Sequence, residues 1–530
     1  MKKEKPPARR LGSKGLPDLV HGSALVFLLA LGTALRIAFL SQPMHLDETY
    51  SYLSLIAKPL STGLTYYPSP NNHLLNTLLS HVSVRALSTS GAVAPPWVIR
   101  LPAFLAGILI PLFAYLVFRK LFNRNVGLLA TAFIVPSSLL IEYSTNARGY
   151  TLLALIFLAL VLVSAYALQT NRWRYWGLFA VLCALGFYTI PTMLYFFVGL
   201  VVWIALSGWR GPNSGNLPRF LWRLALAGTC AIALSVLLYV PVVIKSGLSA
   251  VISNDWVRAL ALGTFVRQAP GNLYTGFTRW NDGIWIGVTA IILLGFLASI
   301  FVQRRYTKYR ANLAITLLVV SVVLLVARHN LPPSRVWIPL LPVYLGYSAV
   351  GFYWAGQRAL AAVRGRIRVS ADVAVSLFAA LAVCAALFLG ASVIKTDAPY
   401  QQVKDEITLR DAGPIAAALK TSLQPGDVVV TGFFPSVILR YYFMKDGISL
   451  DHLYADRKYL PLSNDFIGPA PNTSAGSRTL VLDATKDGYP ISSILKYLGV
   501  NAGAAKSAKP VLHLGDTTVY LLTGAAPVSR

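Results

Sequence analysis

GSALVFLLALGTALRIAFLSQPMHLDETYSYL, residues 22–53, is the stretch whose reading decides the fold. Its first part, 22–41, is apolar and long enough to cross a bilayer as a helix, which takes about 20 residues at a rise of about 1.5 Å each. The run carries one charge, Arg36, and no small-residue cleavage site, so it reads as an anchor and not as a removed signal peptide. Immediately beyond it, at membrane-surface level, stand two adjacent carboxylates, Asp47 and Glu48.

Outward from this stretch the apolar run recurs. Eleven spans are expected, near 22–41, 97–118, 126–141, 149–168, 175–189, 191–206, 220–243, 284–302, 311–327, 336–355 and 371–393. The 175–206 pair breaks at Thr189-Ile190-Pro191, where proline cannot continue helical hydrogen bonding. The composition agrees, with 55% hydrophobic and only 13% charged residues, where a soluble chain carries about a quarter charged. Disorder is excluded by the same figures. A disulfide scaffold is excluded by the presence of only three cysteines, Cys183, Cys230 and Cys384, all inside spans and expected to pack there.

A net charge of +27 would by itself suggest nucleic acid. Its distribution points to the membrane instead: residues 1–394 hold 33 Lys+Arg against 8 Asp+Glu, residues 395–530 only 14 against 12. The loops at 119–125, 169–174, 207–219, 303–310 and 356–370 are basic, and with residues 1–21 their only acids are Glu4 and Asp18. By the positive-inside rule that face is cytoplasmic. The expected organisation is a cytoplasmic segment 1–21, a membrane domain 22–394 with long outer loops 42–96 and 244–283, and an outer domain 395–530. Between residues 22 and 371 there are five acids, Asp47, Glu48, Glu142, Asp255 and Asp282, and all fall on the outer side. Charges near a membrane are costly, so these mark an outward-facing site.

Four outer segments carry the candidate chemistry. Asp47 and Glu48 repel each other, which suits one to act as a base while the other orients it or shares a metal; Asp47 also fits the N-cap of the helix that follows. In YYPSPNNHLLNTLLSHV, residues 66–82, Leu74, Leu75, Leu78, Leu79 and Val82 form the stripe of an amphipathic helix lying in the outer interface. His73 falls in its first turn, a position suited to a phosphate. In EYSTNARGY, residues 142–150, Glu142 and Arg148 either pair or leave Arg148 facing a phosphate. In RHNLPPSRVWIPLLP, residues 328–342, Arg328, His329 and Arg335 crowd a loop without an acid, which fits an anionic ligand or lipid headgroups.

At these residues the sequence resembles the GT-C superfamily of integral membrane glycosyltransferases, in the branch of the protein O-mannosyltransferases and the bacterial lipid A aminoarabinose transferase. The likeness rests on HLDETYSY at the end of the first span, PSPNNHLL later in that loop, YSTNARGY before the fourth span, and RVWIPLLP from Arg335 near a late span. The Asn-Asn before His73 departs from the more usual His-Pro-Pro. The resemblance implies a GT-C fold, a polytopic α-helical membrane protein with a small extracytoplasmic α/β domain. It implies an inverting transferase of a bacterial-type inner membrane that takes a monosaccharide from a polyprenyl-phosphate donor to an envelope acceptor. Asp47 would be the base and Glu48 its support, with Arg148, Arg335 and His73 on the donor phosphate. Glu142, His45, Tyr50 and Asn72 are candidates for supporting roles, and a divalent metal, if used, would fall to Asp47 and Glu48. Partners would be lipid donor, acceptor and bilayer, not nucleic acid, with the protein a monomer. A transporter or flippase of a lipid-linked sugar, or an inactive scaffold relative, is the alternative; the first would need paired ionisable groups at mid-membrane.

Residues 395–530 read as a small α/β domain: helix at GPIAAALKTSL, strand at GDVVVTGF, short helix at SVILRYYF, strand at RTLVLDA, helix at ISSILKYLG, and a hairpin turning at Gly515-Asp516. It shows no catalytic constellation. Covering the site, selecting the acceptor and simple support all fit it. Asn472-Thr473-Ser474 matches a glycosylation sequon.

Overall fold

The computed structural model describes residues 15–89, 91–209, 214–252, 259–364, 371–400, 408–455, 478–484, 490–497 and 508–522. Asp255 and the 472–474 sequon lie outside these residues. In chain order the membrane part comprises α1 (Leu16–Phe39), α2 (Leu46–Ser51) running into a π-helical turn (Tyr52–Ile56), α3 (Leu60–Thr65), α4 (Leu74–Leu87), α5 (Pro96–Leu121), α6 (Arg124–Ile134), α7 (Ser138–Ser144), α8 (Tyr150–Thr170), α9 (Trp173–Thr189), α10 (Met193–Trp209), α11 (Leu217–Ser246), α12 (Leu248–Ile252), α13 (Leu262–Trp280), α14 (Ile286–Val302), α15 (Leu313–Arg328), a 3-10 turn (Ser334–Leu340), α16 (Leu341–Arg364) and α17 (Ala371–Thr396).

Seven helices are long and apolar enough to cross a membrane, or eight if α6 and α7 count as one bent span. The remaining expected spans correspond to α9, α10 and α15, which are shorter. The 126–141 segment differs from the expected single span: α6 and α7 meet at 70°, with Pro136 at the break. Buried Arg36 donates to the Val135 carbonyl at that break, and to Ser144 of α7. α5 is the central helix, packed on α1, α4, α6, α7 and α8. Outer helices leave apolar side chains such as Ile232, Leu237, Leu294, Phe301 and Phe388 exposed, as lipid-facing surfaces do. α14 and α16 approach through glycine; a Cβ on Gly351 would stand 2.0 Å from the Gly295 carbonyl oxygen. Of the cysteines only Cys183 is buried; Cys230 and Cys384 are exposed, so the expected packing role holds for one of three.

α4 forms where the leucine stripe predicts it, and Leu74 at its start is buried, but beyond that first turn the buried side is the polar one. Asn76, Thr77, Ser80 and Ser83 are buried, while Leu79 and Val82 are exposed. Ser80 and Ser83 donate to the Ile99 and Val98 carbonyls, which lie in the first turn of α5. This arrangement fits an interface helix whose apolar side meets lipid. The described residues of the 244–283 loop are largely helical, and α13 leaves Leu262, Val266, Leu273 and Tyr274 exposed.

The C-terminal part comprises α18 (Ala412–Ser422), β1 (Val428–Thr431), α19 (Phe433–Asp446), β2 (Leu453–Ala455), β3 (Thr479–Asp483), α20 (Ile491–Tyr497), β4 (Lys509–Leu514) and β5 (Thr517–Leu522). The sheet order is β2-β1-β3-β5-β4, parallel through the first three and antiparallel beyond. β2 is an addition to the expected elements, and α19 is longer than SVILRYYF: it begins at buried Phe433 and runs past Phe443 through an exposed last turn to Asp446. One sheet face, through Val429, Leu480 and Val519, joins α18, α19 and the segment between α1 and α5 in a single core that includes Met44, Tyr50 and Tyr52. The other face packs Val428, Val430 and Val481 on Ile494 and Leu495 of α20. Hydrogen bonds fasten the join: the Tyr442 hydroxyl accepts from Met44 N–H at 3.1 Å, and the Tyr441 hydroxyl donates to the Ala94 carbonyl at 2.9 Å.

Candidate active site

α2 opens with His45 in the N-cap position, so Asp47 is not the cap. Asp47 and Glu48 fall in its first turn, and adjacent helical positions point about 100° apart. The two side chains therefore enter different surroundings. Glu48 turns inward and is fully buried. Its Oε1 accepts from Arg100 Nη2 at 2.5 Å and from His45 N–H at 2.9 Å. Its Oε2 accepts from Arg100 Nε at 3.0 Å and from Ala147 N–H at 2.9 Å. Burial pushes its pKa up, but the charge and hydrogen bonds of Arg100, with those of His45, outweigh this and hold it below the usual carboxylate range. Arg100 spends its other donors on the carbonyls of Leu40, Gln42 and Pro43. The pair thus fixes the turn between α1 and α2 to α5 and to the 142–150 loop.

Asp47 turns the other way and is 24% exposed, lying 3.5 Å from Arg148 Nη2 and 3.6 Å from Arg335 Nη2. Arg148 is buried; its Nη1 donates to the Asn71 carbonyl at 2.9 Å and lies 3.5 Å from Ser51 Oγ. Arg335 Nε donates to the Tyr150 hydroxyl at 3.1 Å. Asn71 donates to the Asp47 carbonyl at 3.1 Å, tying the Pro-Asn segment to α2. His73, N-terminal to α4, accepts on Nδ1 from Gly149 N–H at 2.8 Å, and its ring stands edge-on to Tyr150 at 4.9 Å. Burial, with the charges of Arg148 and Arg335, pushes His73 well below its ordinary value. The ring is neutral, and because Nδ1 accepts, its proton is on Nε2. Three sequence segments far apart in the chain therefore meet: two guanidiniums, one accessible carboxylate and one neutral imidazole.

The other candidates sit elsewhere. Glu142 pairs with Arg279 at 2.8 Å, not with Arg148, and Arg279 also holds Asp282 at 2.7 Å, anchoring the end of α13 to α7. Asn72 donates to the Gly63 and Tyr66 carbonyls and accepts from Thr77, which makes it a brace of its own loop. Tyr50 belongs to the core shared with the C-terminal domain, and His45 is buried beside a backbone bridge to Thr408. His81 is buried against the Ile56 carbonyl. His329 ends α15 and its ring meets Phe265, so of the three basic residues in that loop only Arg335 has an ion pair with Asp47. A shared metal on the acid pair does not fit, since both oxygens of Glu48 already accept two hydrogen bonds each. Among the described residues no cluster of three His, Cys, Asp or Glu could hold a metal ion.

Sequence reading passed over Arg100 and Arg279. The signal for Arg100 was present: a cation inside the 97–118 run must have a partner. For Arg279 the only local signal was Asp282, three residues on; its buried partner Glu142 lies 137 residues away.

Residues 86–241 match the family model described as dolichyl-phosphate-mannose-protein mannosyltransferase. That range includes Arg100, Glu142 and Arg148 but neither Asp47 nor Arg335. No curated protein matches in sequence. Among solved structures, the chain is similar to ArnT from Cupriavidus metallidurans in the apo state, with TM-score 0.54 and 13% identity over 94% of this chain and 98% of that one. Similarity to the same protein bound to undecaprenyl phosphate gives TM-score 0.53 and 12% identity at the same coverage. The oligosaccharyltransferase of Archaeoglobus fulgidus, tethered with an acceptor peptide, gives TM-score 0.50 and 14% identity over 80% of this chain and 63% of that one.

Proposed function

We propose that this chain, a multi-pass membrane protein with the GT-C fold and an ArnT-like architecture, is an inverting glycosyltransferase. It moves a monosaccharide from a polyprenyl-phosphate donor to an envelope acceptor on the outer face of the membrane. The reading is carried by one observation: the accessible Asp47 carboxylate set 3.5 and 3.6 Å from two guanidiniums. Two cations, one anion and a neutral imidazole leave a net positive pocket, matched to a phosphate leaving group. Arg148 and Arg335 stabilise the charge that the phosphate gains as the glycosidic bond breaks. His73 Nε2–H offers one further neutral donor. A phosphate that takes up both arginines displaces Asp47 from them and leaves its carboxylate to accept the proton of the acceptor. One accessible base with, among the described residues, no second accessible carboxylate beside it is the equipment of a single displacement, in contrast to the double displacement of retaining glycosidases.

The lipid donor is supported by the undecaprenyl phosphate bound in the ArnT structure. Outer-face placement is supported by the basic loops at the opposite ends of the helices. The test is sugar transfer by the detergent-solubilised protein supplied with polyprenyl-phosphate sugars and envelope acceptors. Transfer that Asp47→Asn abolishes is the expected result. A flippase, which needs two compartments, would give none with either protein.

A further inference from the structure

At the end of the membrane domain opposite Asp47, the loop between α14 and α15 meets the last turn of α10 around a cavity of about 650 Å³. Arg304, Lys308 and Arg310 line it together with Thr307, Tyr309 and Trp209. The loop from 303 to 312 contains no acid, and none of the three cations has an ion pair among the described residues. Their backbone is nevertheless held firmly. The Tyr309 hydroxyl accepts from Gln169 at 2.5 Å and donates to the Ala165 carbonyl at 3.2 Å. The Ala311 carbonyl accepts from Trp203 Nε1 at 3.0 Å, and the Leu313 N–H donates to the Tyr347 hydroxyl at 3.1 Å. Trp209 is 63% exposed, where an indole at the rim of a span meets the headgroup layer. A rigid loop presenting three unpaired cations beside an exposed indole, at the level where lipid phosphates lie, is a site prepared for an anion attached to an acyl chain.

We infer that this cavity binds the headgroup of an acidic phospholipid, in the leaflet opposite the transfer site. The lipid phosphate takes the three cations and the Thr307 hydroxyl, while Trp209 and Leu206 line the glycerol and the upper acyl chain. The inference uses only this end of the molecule and stands whether or not the protein transfers sugar.

The test uses the full chain in nanodiscs or detergent, with phosphatidylglycerol and cardiolipin compared with phosphatidylcholine, read by native mass spectrometry. Acidic lipid should be retained selectively. Arg304→Gln, Lys308→Gln and Arg310→Gln together should cut that retention by about a hundredfold, from about fivefold per cation. Lys308→Gln alone should show the fivefold step if the triple variant fails to fold. Arg172→Gln with Arg174→Gln, which removes two cations of the same face outside the cavity, should change little. Equal retention by wild type and the Lys308 variant would overturn the inference. So would an equal loss in the Arg172/Arg174 control, or full displacement of lipid by millimolar inorganic phosphate.

Discussion

Asp47 and Glu48 are neighbours on one turn of helix and both meet arginine, yet the two assemblies are opposites. Around Glu48 every oxygen is taken, nothing is exposed, and Arg100 spends its remaining donors on three backbone carbonyls. Around Asp47 the contacts are 3.5 and 3.6 Å, and the carboxylate reaches solvent. The closed pair has no capacity left for a ligand, so its work is to hold α2 in place. The open one can exchange partners. A saturated ion pair positions; an unsaturated one can do chemistry.

Substitution at each member separates these roles, and the effects should fall in order. Asp47→Asn should lower turnover by about a thousandfold, the scale of a lost general base, with an unchanged thermal midpoint. A comparable loss of stability would make Asp47 structural too. Glu48→Gln should do the reverse, costing about 3–5 kcal/mol of stability by leaving Arg100 buried and unpaired; denaturation in detergent measures it. Because the folded pKa of Glu48 is depressed, its contribution is complete above the ordinary carboxylate value of 4.5 and is lost as pH falls through the lower folded value. Wild type should therefore lose more stability than Glu48→Gln on acidification below that point.

Arg335→Ala should raise the donor KM by about ten- to a hundredfold, as expected for removing a hydrogen bond to a charged group; unchanged donor affinity would detach Arg335 from the phosphate. The smallest effect belongs to Asp282→Asn. That carboxylate is 34% exposed and shares Arg279 with the buried Glu142, so less than about 1 kcal/mol should be lost. A large effect there would make the anchor of α13 a third assembly of the closed kind.

A second contrast concerns α4 and the C-terminal domain. The leucine spacing of α4 locates the helix but not which face is buried, since lipid and protein core both accept leucine. Its serines and Asn76 decide, because buried backbone carbonyls of the neighbouring segments need donors. In the C-terminal domain, the period-two strands and the Gly515-Asp516 turn are local signals and were legible. The docking of Tyr441 and Tyr442 of α19 onto the segment between α1 and α5 was not, as the partners Ala94 and Met44 lie about 350 to 400 residues earlier. This join sets the domain directly against the segment that carries Asp47.

What the sequence by itself determined is what depends on local physics: the apolar helices, the basic face, the break at Pro191, and the isolation of a few acids on one side. It also supplied Asp47, Arg148, His73 and Arg335 as candidates. Only the tertiary structure decided which carboxylate is open and which is closed. Helix phase turns two adjacent side chains into different environments, and the cations that meet them come from packing across separations of 52, 101 and 288 residues. No spacing in the chain encodes those partners.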